Sequence, residues 1–169
     1  VALLKKVSDN FSIYGNVSSG FSPPSLAEVR PSTNTFNATL QAETGTNYEL
    51  GARGSFFDHL TYDVTLYTFH LDQTIIIQRD ADNAEYFVNA GSTSQQGIEA
   101  TFSWSMPLKN TGTVSAFKIW NSYAYNHYRF DKYIQDGVDY SGNKLTGIPP
   151  TVNSSGVDLT IRNKFYANV

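Results

Sequence analysis

The sequence predicts an all-β chain: an antiparallel up-and-down meander that is a fragment of a large transmembrane β-barrel. Three observations predict it. Successive runs alternate between apolar and polar side chains, the period of a strand with two unlike faces. The runs approach the roughly 9–11 residues that a tilted strand needs to cross a bilayer. The connections alternate as well, tight turns with loops of roughly twenty residues, which are uncommon in compact domains but regular at one rim of a membrane barrel.

The first run, residues 11–21, sets Phe11, Ile13, Val17 and Phe21 against Ser12, Tyr14, Asn16 and Ser18. Pro23 and Pro24 stop it, because proline cannot donate to a sheet ladder. Residues 22–46 are rich in Ser, Thr, Asn and Pro, which is loop chemistry. Residues 47–56 then oppose Tyr48, Leu50, Ala52 and Phe56 to Asn47, Glu49, Arg53 and Ser55. After Phe57-Asp58-His59, the next run opposes Leu60, Tyr62, Val64 and Leu66 to Thr61, Asp63 and Thr65. That turn is too short for a crossover, so the two runs should pair as antiparallel neighbours.

Residues 72–93 hold Ile75-Ile76-Ile77 and Glu85-Tyr86-Phe87-Val88 about Asp80-Ala81-Asp82-Asn83, a hairpin reaching past the main sheet. Residues 97–104 place Ile98, Ala100, Phe102 and Trp104 against Glu99, Thr101 and Ser103. A turn over 107–112 leads to a long strand over 114–128, where Asn121 shares a face with Phe117, Ile119, Tyr123 and Tyr125. Residues 131–150, with Gly137, Gly142, Gly147 and Pro149-Pro150, form a third loop. The last run, 156–162, sets Val157, Leu159 and Ile161 against Asp158, Thr160 and Arg162. About six strands of this kind are expected, too few to close a large barrel.

In hydrocarbon every backbone N–H and C=O must pair within the protein, which a closed barrel achieves without exposed edges. The apolar face is therefore expected outward, with Glu49, Arg53, Asp63, Glu99 and Arg162 lining a lumen. The 169 residues suffice for one domain with a sizeable core. Charged residues are only 16%, while Tyr and Phe number eleven each, a balance that favours strands over helices. A net charge of -3 without a basic cluster gives no reason for a nucleic-acid partner. With no Cys there is neither a disulfide nor a thiolate metal site. No apolar run approaches the roughly 18 residues of a membrane-spanning helix, and residues 1–6 are too short and wrongly ordered for a signal peptide. The first residue is not Met, and the chain reads as a piece of something longer.

Four stretches carry a resemblance. They are Tyr14-Gly15-Asn16-Val17-Ser18-Ser19-Gly20-Phe21-Ser22-Pro23-Pro24; Glu43 followed by Tyr48-Glu49-Leu50-Gly51; Asn89-Ala90-Gly91 followed by Gly97-Ile98-Glu99; and Gly147-Ile148-Pro149-Pro150. In this order and spacing the chain resembles the later part of the barrel of TonB-dependent receptors, ligand-gated transporters of the Gram-negative outer membrane. The resemblance implies a barrel of about 22 strands, an N-terminal plug domain, and a periplasmic box that contacts TonB. It implies that residues 1–169 are one partial β-barrel domain, with the plug and the remaining strands absent. It implies contact with outer-membrane lipid, and a part in an active transporter that imports a large scarce ligand, a ferric siderophore or similar iron chelate, on TonB-transmitted energy. Neither an enzyme activity nor a cofactor is expected. The competing reading is a soluble carbohydrate-binding or adhesive β-sandwich, which would bury its apolar faces between two sheets.

Little in the chain suggests chemistry. His59, His70 and His127 lack ligand-like spacing and read as polar rim residues. Asp80, Asp82 and Asn83 lack the glycine and the distal Glu of a calcium loop and read as a solvated hairpin tip. There is no nucleophile elbow and no phosphate-cradling glycine loop, so neither a catalytic nor a metal site is expected. The ligand should instead meet the loops 22–46, 72–93 and 129–151. Within them Arg30, Arg79, Tyr86, Arg129 and Tyr133 are the candidate ligand-binding residues, since Arg grips anionic chelates and Tyr stacks or hydrogen-bonds. Tyr48, Tyr62, Trp104, Tyr123 and Tyr125 suit interfacial belts.

Overall fold

In chain order the elements are β1 (Ala2–Ser8), β2 (Phe11–Ser22), α1 (Leu26–Val29), β3 (Glu43–Phe56), β4 (Leu60–Asp72), β5 (Ile75–Arg79), β6 (Glu85–Asn89), β7 (Ser92–Pro107), β8 (Val114–Lys132), β9 (Ile134–Gln135), β10 (Val138–Asp139), β11 (Thr151–Ile161) and β12 (Phe165–Asn168). The computed structural model describes residues 1–30, 36–57, 59–89, 91–108, 113–135, 137–161 and 165–169. Asp58, Ala90, most of the 107–112 turn and Arg162 thus lie outside the described residues. Eight strands form one antiparallel sheet in the order β1-β2-β3-β4-β7-β8-β11-β12. The hairpins β5-β6 and β9-β10 stand apart from it. Sheet neighbours follow one another along the chain, as an up-and-down meander requires.

Register settles which side chains share a face, because directly opposed residues point the same way. Leu50 opposes Leu66, which opposes Ile98, which opposes Tyr125. The next row is Ala52, Val64, Ala100 and Tyr123. On the reverse face Arg53, Asp63, Thr101 and Ser122 stand in one row, and Gly51, Thr65, Glu99 and Ala124 in another. One apolar and one polar surface result, as the alternation demands. Among the described residues no hydrophobic side chain is buried, and Leu50 is 57% exposed. A sandwich would have buried this face against a second sheet; the chain instead presents it whole.

The apolar face has an aromatic edge at each end. Toward the short turns Phe56 stacks on Tyr62 at 5.0 Å and Trp104 meets Phe117 edge-on at 5.3 Å; toward the long loops stand Tyr48 and Tyr125. From Phe56 to Tyr48 along β3 is about 26 Å at ~3.3 Å per residue. A strand tilt of about 35–45° shortens this to ~20 Å, close to the apolar band of a bilayer-spanning barrel once the rings are added.

The sheet exceeds its expected strand count. β1 and β12 lack a clean alternation, β1 because Lys5 and Lys6 adjoin and β12 because it is only 4 residues long. Several strands also run further toward the long loops than alternation shows. β7 begins at Ser92, and β8 continues to Lys132, so Arg129 sits on a strand and not in a loop. The β7 extension is polar on both faces, and in the β8 extension the rings of Tyr128 and Phe130 fall on the reverse face, so the alternation that marks a strand bounded by lipid is lost there. Within the 22–46 loop, α1 is set by a capping box whose Ser25-x-x-Glu28 spacing stands in the sequence: Ser25 N–H donates to Glu28 Oε2 at 2.6 Å, and Glu28 N–H to Ser25 Oγ at 3.4 Å.

Candidate functional site

The polar face is a hydrogen-bonded floor. On β2 Tyr14 lies across Gly51 of β3 and reaches β4, where its hydroxyl donates to Asp63 Oδ1 at 2.7 Å and lies 2.6 Å from Thr65 Oγ1. Arg53 sits 5.8 Å over the Tyr14 ring, a cation–π distance. Tyr67 spans Gly97 in the same manner, donating to Asn126 Oδ1 at 3.1 Å and meeting the Tyr128 hydroxyl at 2.7 Å. Asn16 and Asn47 each donate to Glu49, at 3.3 and 2.6 Å. A cleft of about 420 Å³ opens beside Arg53, Asp63 and Ser12.

The long connections stand together at the opposite rim from the turns, and two of them are tied. Asn37 Nδ2 donates to Phe87 O at 3.0 Å, and Gln41 N–H to Asn89 Oδ1 at 2.7 Å. Asn89 Nδ2 returns bonds to Gln41 O at 2.9 Å and Gln73 O at 2.7 Å. Glu43 Oε1 accepts Ile75 N–H at 2.8 Å. Gly91 closes the base of this assembly at φ 123, where an added Cβ would lie 1.7 Å from Lys132 O, so only glycine fits. There β7 and β8 slip register and Thr93 is 2% exposed. A cleft of about 340 Å³ lies between Gln73, Asn89 and Lys132.

The candidate residues fall in three places. Arg79 and Tyr86 share the β5-β6 hairpin: Arg79 pairs with Glu85 at 2.7 Å, and the Tyr86 hydroxyl donates to Gln78 Oε1 at 2.8 Å. Arg30 caps the C-terminal end of α1, which packs on β6. Tyr133 follows β8 at the third connection, its ring tilted against Phe130 at 4.5 Å and against Tyr140 at 5.6 Å. Arg129 lies opposite Ser94 on the face that carries Tyr125, donating from Nε to His127 Nε2 at 2.9 Å and from Nη1 to Gly142 O. In this third connection Ser141 donates to Asp139, holding its exposed carboxyl below the usual carboxylate range. Asn89, Phe130 and Tyr140 carried no mark as candidates in the sequence, and of the ring series only Tyr133 did. Asn89 did stand in one of the four resembling stretches, whereas the rings are brought together only by the fold. Of the histidines, His70 lies 3.3 Å from Asp72 and 3.2 Å from Asp131; among the described residues no group suits a metal ion.

No curated protein matches the chain in sequence. Solved structures match its fold. The structure titled Copper transporter OprC superposes with a TM-score of 0.70 at 17% identity, over 99% of this chain and 24% of its own. The siderophore receptor PiuA from Acinetobacter baumannii gives 0.66 at 21% identity over 94% and 23%. The ferric yersiniabactin uptake receptor FyuA from Yersinia pestis gives 0.65 at 18% identity over 94% and 22%. The chain thus spans about a quarter of each structure it matches, and its sheet corresponds to a segment of their transmembrane barrels. The family model described as TonB dependent receptor-like, beta-barrel matches residues 2–168; the chain belongs to that family of the Gram-negative outer membrane.

Proposed function

We propose that the chain is part of an outer-membrane active transporter that captures a ferric siderophore or similar iron chelate and imports it on TonB-transmitted energy. On this reading residues 1–169 are one section of a closed barrel, and the plug, the TonB box and the other strands belong to the rest of the protein. The observation that carries it is the match of nearly the whole chain to the receptor barrel family, joined to three long connections at one rim above a polar inner face. One structural neighbour is titled a siderophore receptor and another a ferric yersiniabactin uptake receptor, which supports iron as cargo; a third is titled as a copper transporter.

The ligand is met by the connections: Arg79 and Tyr86 on one hairpin, Arg30 beside it, and Tyr133 with its ring neighbours across the mouth. Arginine grips carboxylate or catecholate charge, and stacked tyrosines take planar rings. Catalysis has no place in this scheme. The test is growth and radiolabelled iron uptake on defined ferric chelates in a strain lacking the full-length gene. Loss of uptake for one chelate class, restored by the intact gene but not by Arg79→Ala/Tyr86→Ala, is expected. Unchanged uptake of every iron source would overturn the iron reading, and a defect for copper would move the cargo there.

A further inference from the structure

On the outward face the apolar surface is dished into a trough of about 810 Å³ that runs across the strands, with Leu3, Val17, Leu50, Leu66 and Ile98 in its wall and Tyr125 and His127 at its β8 end. Beyond His127 the same face carries Arg129 and Lys132, with Asp131 between them turned to His70. Tyr125, His127 and Arg129 are alternate residues of β8 and point one way. Arg129 donates from Nε to His127 Nε2 at 2.9 Å and from Nη1 to Gly142 O, so its guanidinium is fixed next to the His127 end of the trough. Directly opposite Arg129 is Lys144, held by an antiparallel bridge as the third connection runs back along β8. Lys132 follows on that face, opposite Ser92.

Like charges directly opposed across two strands are destabilising unless something lies between them. Among the described residues neither Arg129 nor Lys144 forms an ion pair, and the nearby rim carboxylates of Asp72 and Asp131 are both turned to His70, at 3.3 and 3.2 Å. Arg129 lies about 13 Å along the strand from Tyr125 at ~3.3 Å per residue. Given the strand tilt, that is headgroup level above an aromatic belt.

We propose that this surface binds one phosphorylated lipid of the leaflet facing the long connections, with a headgroup phosphate between Arg129 and Lys144 and acyl chains along the trough. The charge complementarity is that of basic lipid-head pockets in general, and a guanidinium suits a phosphate particularly well. This assigns Arg129 to the membrane and not to the imported ligand.

The test uses the full-length receptor, purified in detergent and titrated with bis-phosphorylated lipid A, with the same lipid dephosphorylated, and with inorganic phosphate, read by native mass spectrometry. One molecule of phosphorylated lipid should be retained, and each protein charge removed should weaken retention about fivefold. Arg129→Gln and Lys144→Gln should each show this, their double variant should lose roughly 25-fold, and Arg129→Lys should stay near the parent. Heat-modifiable gel migration confirms that each variant has folded. Equal retention of phosphorylated and dephosphorylated lipid would overturn the proposal without any variant being made. So would equal retention by the double variant, or inorganic phosphate binding as tightly as the lipid.

Discussion

Gly51 should be irreplaceable for a reason that lies on another strand. A Cβ built there falls 2.1 Å from Tyr14 Cζ and 2.4 Å from its hydroxyl. Gly51→Ala must therefore displace the ring, and the ring cannot move without loosening its bonds to Asp63 at 2.7 Å and Thr65 at 2.6 Å. Overpacking of this kind costs about 1–3 kcal/mol, and a hydrogen bond to a charged group contributes about 1.5–3 kcal/mol. Since the ring is half-buried, Gly51→Ala is expected to destabilise by about 2–4 kcal/mol. In a Tyr14→Ala background the collision is gone, and the same change should cost no more than about 0.5 kcal/mol, a coupling of roughly 2 kcal/mol. Equilibrium urea unfolding of the full-length receptor in lipid vesicles, followed by tryptophan fluorescence, measures all four proteins of the cycle. If Gly51→Ala costs the same with and without Tyr14, the cross-strand lock is not what requires glycine there.

Further outcomes follow from the same geometry. Tyr67→Phe removes a hydroxyl shared with Tyr128 and Asn126 and should cost about 1 kcal/mol in the same unfolding assay. Leu66→Arg, in the middle of the apolar band, should cost about 2–4 kcal/mol, whereas Thr101→Arg, exposed on the reverse face opposite Asp63, should stay within about 0.5 kcal/mol. Breaking the exposed Arg79–Glu85 pair with Glu85→Gln should change stability by less than about 1 kcal/mol, so an uptake defect in that variant would report ligand contact. The isolated 169-residue chain, with apolar face and both sheet edges uncovered, should sediment as oligomer or aggregate in detergent-free buffer; a monodisperse monomer with one cooperative transition would contradict that.

The legible part of this fold is the part bounded by lipid. Where one face must be apolar, Leu50, Val64, Leu66, Ile98 and Phe102 recur at every second position, and both pairing and facing could be read directly. Above the band both faces meet water. Ser92 to Gln96 therefore carry no alternation, Tyr128 and Phe130 reverse its phase by putting their rings on the inner face, and strand continued where the sequence suggested loop. The edge strands were hidden for a related reason, being short or carrying adjacent lysines. At the rim, Arg79, Tyr86 and Tyr133 could be named as residue types suited to a ligand. What could not be read was that Asn89 ties two connections, or that a strand extended past Tyr128 would turn Arg129 toward the outward face. Those depend on long-range register, which residue type does not encode.

One face of the sheet meets lipid and the other a lumen, and alternate labelling along β4 tells the two apart. The chain has no Cys, so single cysteines at positions 60 to 66 can be introduced into a cysteine-free full-length receptor, spin-labelled and reconstituted in bilayers. Relaxation by oxygen, which partitions into lipid, is compared with relaxation by a water-soluble nickel chelate. A period of two is expected: Leu60, Tyr62, Val64 and Leu66 oxygen-accessible, and Thr61, Asp63 and Thr65 shielded from oxygen. Uniform accessibility, or the opposite phase with Asp63 toward lipid, would contradict it.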